Sequence, residues 1–319
     1  DSLVAQILKS DITALSRAIT LVESKNTSHI EKANSIIKSC LPHANKSVRI
    51  GITGVPGVGK STFIEVFGKY LTGQGKRVAV LAIDPSSTLT KGSILGDKTR
   101  MEDLVKDKNA FIRPSPSGES LGGVARKTRE TIILCEAAGF DSIIIETVGV
   151  GQSETAVHSM VDFFLLLKLA GAGDELQGIK RGIIEMADAI AINKADGENA
   201  KNAKLAKVEF NRALHLYPEK ESSWIPKVTL CSALHNEGID NIWSIIQDYI
   251  KLTSDNDYLN TKRNEQNKFW LIQTIEEQLK TSFFNDSKIK VELQNQLKLI
   301  ETNMTTPFAA ADFLLSLKK

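Results

Sequence analysis

Apolar residues follow two different spacings along the chain. At both ends they recur every three or four positions, which predicts amphipathic helices, whereas the middle carries short apolar runs bounded by Gly, Asp and Asn, which predict buried strands. Six such runs are present: Val48–Thr53, Arg77–Ile83, Ser142–Thr147, Phe163–Leu169, Ala189–Asn193 and Val228–Ser232. Helical patterns, for example Lys60–Leu71 and Gly123–Ala138, separate most of them. This alternation predicts an α/β fold with a mostly parallel sheet covered by helices on both faces.

The helical patterns divide the chain into three predicted parts. Residues 1–45 hold two apolar stripes, one following Asp11 and one around Ile36, and predict two packed helices before the core. Residues 46–255 form the predicted α/β domain. Residues 256–319 turn polar, then carry two further stripes and a short helix after Pro307. Such stripes fit the core of a monomer and an interface between two copies about equally well.

Composition and charge narrow the classes of function. The 319 residues are 42% hydrophobic and 24% charged, ordinary values for a globular protein, and the net charge is only +2. A global field that would draw the chain onto nucleic acid or a membrane is therefore not expected. The longest apolar stretch, Val161–Leu169, is too short to span a bilayer, and the first residues have the pattern of an amphipathic helix, not of a signal peptide. With three widely separated cysteines, a cytoplasmic location is expected.

One segment matches a phosphate-binding motif. Gly54–Thr62 has the pattern G-x-x-x-x-G-K-S/T and lies between a predicted strand and a predicted helix, which is the context that the motif requires. The glycines let successive backbone N–H groups point at phosphate oxygens, the lysine adds a positive charge, and the serine hydroxyl can bind magnesium. The predicted contacts are Gly54, Gly57, Val58, Gly59, Lys60, Ser61 and Thr62. The motif predicts a nucleoside triphosphate site.

Three acidic residues follow the loop at positions suited to a metal ion. Asp84 and Glu146 end predicted strands, and Asp97 lies in the segment between them. Since Mg²⁺ prefers oxygen ligands and takes few of them from the protein, these three carboxylates and the Ser61 hydroxyl are candidates for its shell. The residues predicted to act in catalysis are Lys60, Asp97 and Glu146.

A switch element is predicted after Glu146. Gly149 follows it by three residues, so that its backbone N–H can sense the γ-phosphate and convert the loss of that group into a loop movement. In Ras-type enzymes a glutamine that positions water comes directly after this glycine, but here Val150 stands there and the nearest amide is Gln152. We therefore expect slow intrinsic hydrolysis that a partner protein accelerates.

A guanine-recognition pattern follows the fifth predicted strand. In the Asn-Lys-Ala-Asp segment 193–196 the aspartate is placed to accept hydrogen bonds from the N1–H and the exocyclic amine of guanine, which adenine does not offer. A site built on such hydrogen bonds rejects the wrong base strongly, because its carboxylate would be left unpaired. The predicted base contacts are Asn193, Lys194, Asp196, Ser232 and Ala233.

Six motifs together resemble one known family. They are Gly54–Thr62, Asp84–Ser87, Gly92–Met101, Leu121–Arg126, Glu146–Ser153 and Gly171–Lys180. In these segments the chain is similar to the MeaB/ArgK/MMAA family, whose members are GTPase chaperones of adenosylcobalamin-dependent methylmalonyl-CoA mutase. The resemblance covers essentially the whole chain. It implies a P-loop NTPase fold, bound GTP or GDP, and a homodimer formed through the C-terminal helical arm.

The same resemblance assigns roles to individual residues. It implies a magnesium shell made of Ser61, Asp84, Asp97 and Glu146. It also implies a third mobile loop that contains Gln177 and Lys180 and couples the nucleotide state to the mutase. With Gln152, these residues form the predicted switch set.

The function predicted on this basis is a homodimeric GTPase that gates the loading of adenosylcobalamin onto methylmalonyl-CoA mutase or a related acyl-CoA mutase, and protects that enzyme. One alternative is a P-loop kinase or ATPase linked to amino-acid transport, against which the guanine pattern argues. Another is a metal-insertion GTPase, which shares the phosphate loop. The five histidines are scattered and the cysteines do not cluster with them, so this alternative has little support.

Overall fold

Three helices open the chain. The computed structural model describes residues 2–24, 26–83, 101–114, 121–147, 153–171 and 181–318. The first helices are α1 (Ser2–Leu8), α2 (Ile12–Glu23) and α3 (Thr27–Cys40), and a 3₁₀ turn at Leu41–His43 follows. The Asp11 carboxylate starts α2 by accepting hydrogen bonds from two backbone N–H groups of the first turn, at 2.8 and 3.0 Å. The sequence predicted only two helices here, because α1 spans 7 residues and gives too short a stripe.

Seven strands form one parallel sheet. The strands are β1 (Val48–Thr53), β2 (Val78–Ile83), β3 (Ala110–Arg113), β4 (Ser142–Thr147), β5 (Phe163–Leu169), β6 (Ala189–Asn193) and β7 (Lys227–Leu230). Their order in the sheet is β3-β2-β4-β1-β5-β6-β7, and every pairing is parallel. Because β1 lies in the middle, the loop that follows it opens at the centre of the carboxyl edge of the sheet.

Helices connect the strands and cover both faces of the sheet. They are α4 (Lys60–Gly73), α5 (Glu102–Val105), α6 (Leu121–Ala137), α7 (Ser153–His158), α8 (Arg181–Met186), α9 (Ala200–Leu214) and α10 (Ile239–Asp255). On one face Phe63, Phe67 and Ile246 belong to a large buried cluster, and on the other Ile184 and Phe210 belong to a second cluster. The predicted α/β fold with a parallel sheet between two helical layers is confirmed.

The predicted strands agree closely with the observed ones. Four of the six have the observed bounds, and the runs that begin at Arg77 and Val228 differ from β2 and β7 by one or two residues. The sequence missed β3. That strand has four residues at the edge of the sheet and only Phe111 in it is buried, so it lacks the continuous apolar run by which the other strands were recognised.

Four charged side chains satisfy one another at the amino edge of the sheet, and we call Arg49, Glu136, Asp162 and Arg263 the amino-edge cluster. The fully buried Asp162 accepts hydrogen bonds from Nε and Nη2 of Arg263, at 2.8 and 2.6 Å, and from the backbone N–H of Arg49 at 2.9 Å. Arg49 in turn donates from Nε to Glu136 at 2.8 Å. Burial acts to raise the pKa of Asp162, but Arg263 and Arg49 outweigh it and hold this pKa below its usual range.

The contacts divide the chain into two compact units, Asp1–Gln266 and Asn267–Lys319. The second unit contains most of α11 (Tyr258–Asn285) and all of α12 (Ser287–Glu301) and α13 (Pro307–Ser316). The three-part division at residues 45 and 255 stays a prediction. None of the helices that the structure describes is long and apolar enough to cross a membrane.

Candidate functional site

The phosphate loop joins β1 to α4 and contains two glycines that no other residue can replace without a collision. A Cβ atom added to Gly54 would lie 2.7 Å from the backbone oxygen of Leu167 in β5. Gly59 has a φ of 91°, in the left-handed region, and an added Cβ would lie 2.8 Å from Nδ2 of Asn193. Both glycines are therefore required by the close approach of neighbouring groups, and at Gly59 by the backbone conformation as well.

Lys60 is the first residue of α4 and points back across the loop. Its Nζ atom donates hydrogen bonds to the backbone oxygens of Gly54, at 2.8 Å, and Val55, at 3.3 Å. Burial lowers the pKa of Lys60 below its ordinary value, while the negative charges of Glu146 and Glu154 act in the opposite direction. The site thus holds a partly buried ammonium group between the loop carbonyls and two acidic residues.

Glu146 stands beside the strand that enters the loop. It pairs with Ile52 of β1 in the register of the sheet, and its side chain is largely buried. The next residue, Thr147, and the last residue of β1, Thr53, are both fully buried, and their hydroxyl oxygens lie 2.9 Å apart in a hydrogen bond. This bond joins the start of the phosphate loop to the segment that leads into the predicted switch.

Two of the four predicted magnesium ligands can be placed. The Ser61 hydroxyl at the start of α4 and the Glu146 carboxylate at the end of β4 are both oxygen donors, the type that Mg²⁺ prefers. Asp84 and Asp97 lie outside the residues that the structure describes. Within those residues no group of three His, Cys, Asp or Glu side chains is placed to hold a metal ion. The part of the shell that is described therefore fits magnesium, and the full shell stays a prediction.

Asn193 joins two loops by its side-chain amide. Its Nδ2 atom donates to the backbone oxygen of Val58 at 2.9 Å, and its Oδ1 atom accepts from the backbone N–H of Ala233 at 3.1 Å. The phosphate loop and the loop after β7 are thereby fixed to the end of β6. Lys194, which has a positive φ of 56°, adds a second link by donating from Nζ to the backbone oxygen of Gly57 at 3.0 Å.

The predicted guanine-reading carboxylate belongs to Asp196, directly after β6. The Ser232 hydroxyl donates a short hydrogen bond to it, and the same hydroxyl oxygen accepts from the backbone N–H of His235 at 3.3 Å. Asp196 is partly exposed, so its carboxylate can reach a ligand at the carboxyl edge. Ser232 thus orients this carboxylate.

The structure places the described candidates at one edge of the sheet, and their predicted roles in binding stay predictions. Six candidates lie outside the described residues, and their roles stay predictions: Asp84, Asp97, Gly149, Gln152, Gln177 and Lys180.

Glu154 was not recognised from the sequence. It is the second residue of α7 and is 5% exposed, and its charge acts on Lys60. A glutamate in the first turn of a helix is common for reasons of helix electrostatics, so the sequence carried no signal for this position. The contact between Thr53 and Thr147 was missed for a similar reason, since nothing in either strand pattern pairs them.

The phosphate loop after the central strand and the oriented carboxylate after β6 define a P-loop nucleotide-binding protein of the GTPase class. Residues 15–288 match the family described as "Methylmalonyl Co-A mutase-associated GTPase MeaB". The chain belongs to this family, and it is a GTPase.

Individual relatives agree with this assignment. The chain is 44% identical to "GTPase ArgK" of Escherichia coli strain K12 over 304 residues, which are 95% of this chain and 92% of the relative. It is also 44% identical to "Methylmalonic aciduria type A homolog, mitochondrial" of Mus musculus, over 99% of this chain and 78% of the relative. Among solved structures it is similar to a "LAO/AO transport system kinase", with a TM-score of 0.81, 37% identity, and coverage of 99% of this chain and 96% of that one.

Proposed function

We propose that this GTPase is a chaperone of an adenosylcobalamin-dependent acyl-CoA mutase, methylmalonyl-CoA mutase or a relative of it, and that its nucleotide state gates the loading of the cofactor and protects the enzyme. The observation that carries the proposal is the connection of the site to two predicted switch segments. Thr147 leads directly into residues 148–152, and Gly171 leads into residues 172–180. A change at the γ-phosphate would thereby reach both predicted switch segments at once.

Hydrolysis of GTP at this site would depend on positioning and on charge. The loop N–H groups and Lys60 would bind the β- and γ-phosphates, and Lys60 would exchange its hydrogen bonds with Gly54 and Val55 for phosphate oxygens. A bound Mg²⁺ ion, held by Ser61 and Glu146 with Asp84 and Asp97 as further predicted ligands, would neutralise phosphate charge. Charge that develops on the transferring phosphoryl group is then stabilised by groups already in place.

A partner is expected to accelerate this reaction, because no glutamine follows Gly149 directly. The test is single-turnover hydrolysis of GTP by the purified chain, alone and with the mutase from the same organism. We expect a low rate alone and a rate at least tenfold higher with the mutase. Equal rates would contradict the gating proposal. The control is the Lys60→Ala variant of the GTPase, measured with and without the mutase. It should bind GTP weakly and hydrolyse none in either case.

Base selectivity provides a second test of the site. Asp196, oriented by Ser232, is expected to prefer GTP over inosine triphosphate, which lacks the 2-amino group, and to bind ATP poorly. Loss of one hydrogen bond to a charged group corresponds to about 1.5–3 kcal/mol, or roughly tenfold or more in affinity. Calorimetric titration of the three nucleotides measures this. Binding of ATP as tight as that of GTP would instead favour a kinase or ATPase, the activity in the name of the similar transport-system structure.

We also propose that the second unit forms a homodimer with a second copy of the chain. This unit has an apolar groove of about 640 Å³ between α11, α12 and α13, with Leu279, Phe283, Leu297 and Leu314 among the residues in its wall. Leu279 is 64% exposed although it faces this groove. A second helical arm that covers the groove would remove this apolar surface from water.

Light scattering tests the dimer with a matched pair of variants. Leu279→Glu should give a monomer, because it places a charge in the apolar groove. Leu205→Glu changes a leucine of α9 with the same exposed fraction, 64%, and should leave the dimer intact. A parent chain that scatters as a monomer would contradict the proposal.

The proposed location is the cytoplasm, which fits the three free, buried cysteines. Fractionation of the source cells tests it.

A further inference from the structure

Glu154 is a buried carboxylate whose place in the fold needs an explanation. It is 5% exposed, no hydrogen bond from the described part of the chain reaches its oxygens, and these oxygens are not among the completely shielded atoms without a partner, so solvent reaches the carboxylate. A buried ionised carboxylate is unfavourable unless it is paired or hydrogen-bonded. The residue that it influences within the described part is Lys60. A group from the bound substrate, or a water molecule that attacks it, would satisfy this carboxylate.

The position of Glu154 follows from the packing of α7. This helix runs from the carboxyl edge back to the amino edge, because it begins after β4 and leads to the start of β5. Val157 packs against β1, where its Cγ1 atom lies 2.9 Å from the place of a Cβ atom on Gly51. Glu154 is three residues before Val157, so it lies on the same face of α7, about 5 Å nearer the carboxyl edge.

The offset of about one helical turn from Val157 places Glu154 near the phosphate loop. Thr53 follows Gly51 by two strand residues, which span about 6.6 Å toward the carboxyl edge. One helical turn toward the same edge has a similar length, so Glu154 lies at about the level of Thr53, the residue before the loop. At this level Glu154 lies near the start of the phosphate loop, and its negative charge acts on Lys60, whose Nζ atom contacts Gly54 and Val55. Glu146 lies at the same edge, at the end of β4, where it is a predicted magnesium ligand.

We propose that Glu154 is the catalytic residue that orients the attacking water and accepts its proton, in place of the glutamine that is absent after Gly149. The inference rests on the proposed GTP site. The water oxygen bonds to the γ-phosphorus while the bond from phosphorus to the β–γ bridging oxygen breaks, and GDP leaves with that electron pair. The proton of the water passes to the Glu154 carboxylate and then to solvent, and inorganic phosphate is the second product.

The test compares Glu154→Gln with the parent in single-turnover hydrolysis at saturating GTP. Glutamine has the size of glutamate and can still hold a water molecule, but it does not accept a proton. We expect the rate to fall at least 100-fold, while the Kd values for GTP and GDP stay within threefold of the parent. Glu209→Gln, which changes an exposed glutamate of α9, is the control and should hydrolyse GTP at the parent rate.

Two other roles of Glu154 give different results. If it only balances the charge of Lys60, the Kd for nucleotide changes in Glu154→Gln and the rate at saturation does not, which overturns the proposal. If it only maintains the fold, Glu154→Gln loses nucleotide binding and thermal stability, and Glu154→Asp loses them too. A catalytic carboxylate predicts instead that Glu154→Asp binds nucleotide normally and hydrolyses GTP slowly, but faster than Glu154→Gln.

Failure of this inference is separate from failure of the proposed function. A parent that hydrolyses GTP and responds to the mutase, together with a Glu154→Gln variant that does the same, overturns only the role of Glu154. A parent that neither binds guanine nucleotides nor hydrolyses GTP overturns both.

Discussion

The two edges of the central sheet use buried charges in opposite ways. At the amino edge, the carboxylates and guanidinium groups of the amino-edge cluster are joined directly, with distances of 2.6–3.0 Å. At the carboxyl edge, Lys60 donates to backbone oxygens, and Glu154 receives no hydrogen bond from the described residues. Charges that are matched within the chain hold the fold, whereas charges left unmatched are suited to a ligand that supplies the missing partner.

The largest expected effect, on the free energy of unfolding, comes from removing one side chain of the amino-edge cluster. Arg263→Ala leaves Asp162 buried without its main partner, and we expect the free energy of unfolding to fall by about 3–5 kcal/mol, measured by urea denaturation at pH 7. Asp248→Ala is the control, since it breaks the exposed pair with Lys227 and should cost under about 1 kcal/mol. Similar losses for both variants would show that burial does not distinguish the pairs.

A smaller effect is expected at the carboxyl edge of the sheet, on the affinity for nucleotide. Gly59→Ala forces a left-handed backbone on alanine and moves Asn193, so the Kd for GDP should rise about tenfold or more, which is about 1.4 kcal/mol. Titration with a fluorescent GDP analogue measures it. Gly75→Ala is the control, because Gly75 has a similar φ of 78° but lies after α4, outside the phosphate loop, with nothing within 4 Å of an added Cβ atom. That variant should bind GDP as the parent does.

The hydrogen bond between the hydroxyl groups of Thr53 and Thr147 provides a test within the carboxyl edge, because here two buried polar groups are paired within the chain. Thr147→Val leaves the Thr53 hydroxyl buried and unpaired, so we expect a loss of about 1–2 kcal/mol in the free energy of unfolding. Replacing both threonines with valine should restore much of that stability, and a double-mutant cycle gives the coupling energy. A double variant as unstable as the sum of the single ones would argue against the bond.

The smallest effect within the accessible range is expected from pH. Because Asp162 has a lowered pKa in the folded state, its contribution is complete above the unfolded value of about 3.9 and is lost as the pH falls toward the folded value. The free energy of unfolding of the parent should therefore decrease below about pH 4. In Asp162→Asn this decrease should be weaker, which urea denaturation between pH 3 and 6 would measure.

Much of the sheet and part of the site were predictable from local pattern. The buried strands have uninterrupted apolar runs, and the phosphate loop and the Asn193–Asp196 segment have fixed spacings, so each was recognised alone. The edge strand β3 lacks such a run. The link from Asn193 to Val58 and Ala233 joins residues that are 135 and 40 positions apart, and its geometry depends on the completed sheet.

The residues that escaped prediction share a physical cause. The burial of Glu154 depends on α7 packing against β1, so its surroundings differ from those that a first-turn glutamate usually has. The amino-edge cluster likewise joins Arg263 to Asp162, 101 positions earlier, and charged residues in a sequence are by default expected at the surface. The spacing of residues along the chain predicts which helix or strand forms. The roles of Glu154 and of the amino-edge cluster depend instead on which helices and strands pack against each other.

The side chain of Asn193 has a consequence for selectivity that goes beyond either loop. Because one amide of fixed length spans the phosphate loop and the loop after β7, it fixes the distance between the predicted phosphate contacts and the predicted base contacts. In the proposed GTP site this fixed distance would set the length of the sugar that fits between the base and the phosphates. A nucleotide whose sugar is longer or more flexible would meet one of the two ends out of place, even if its base and its phosphates were correct.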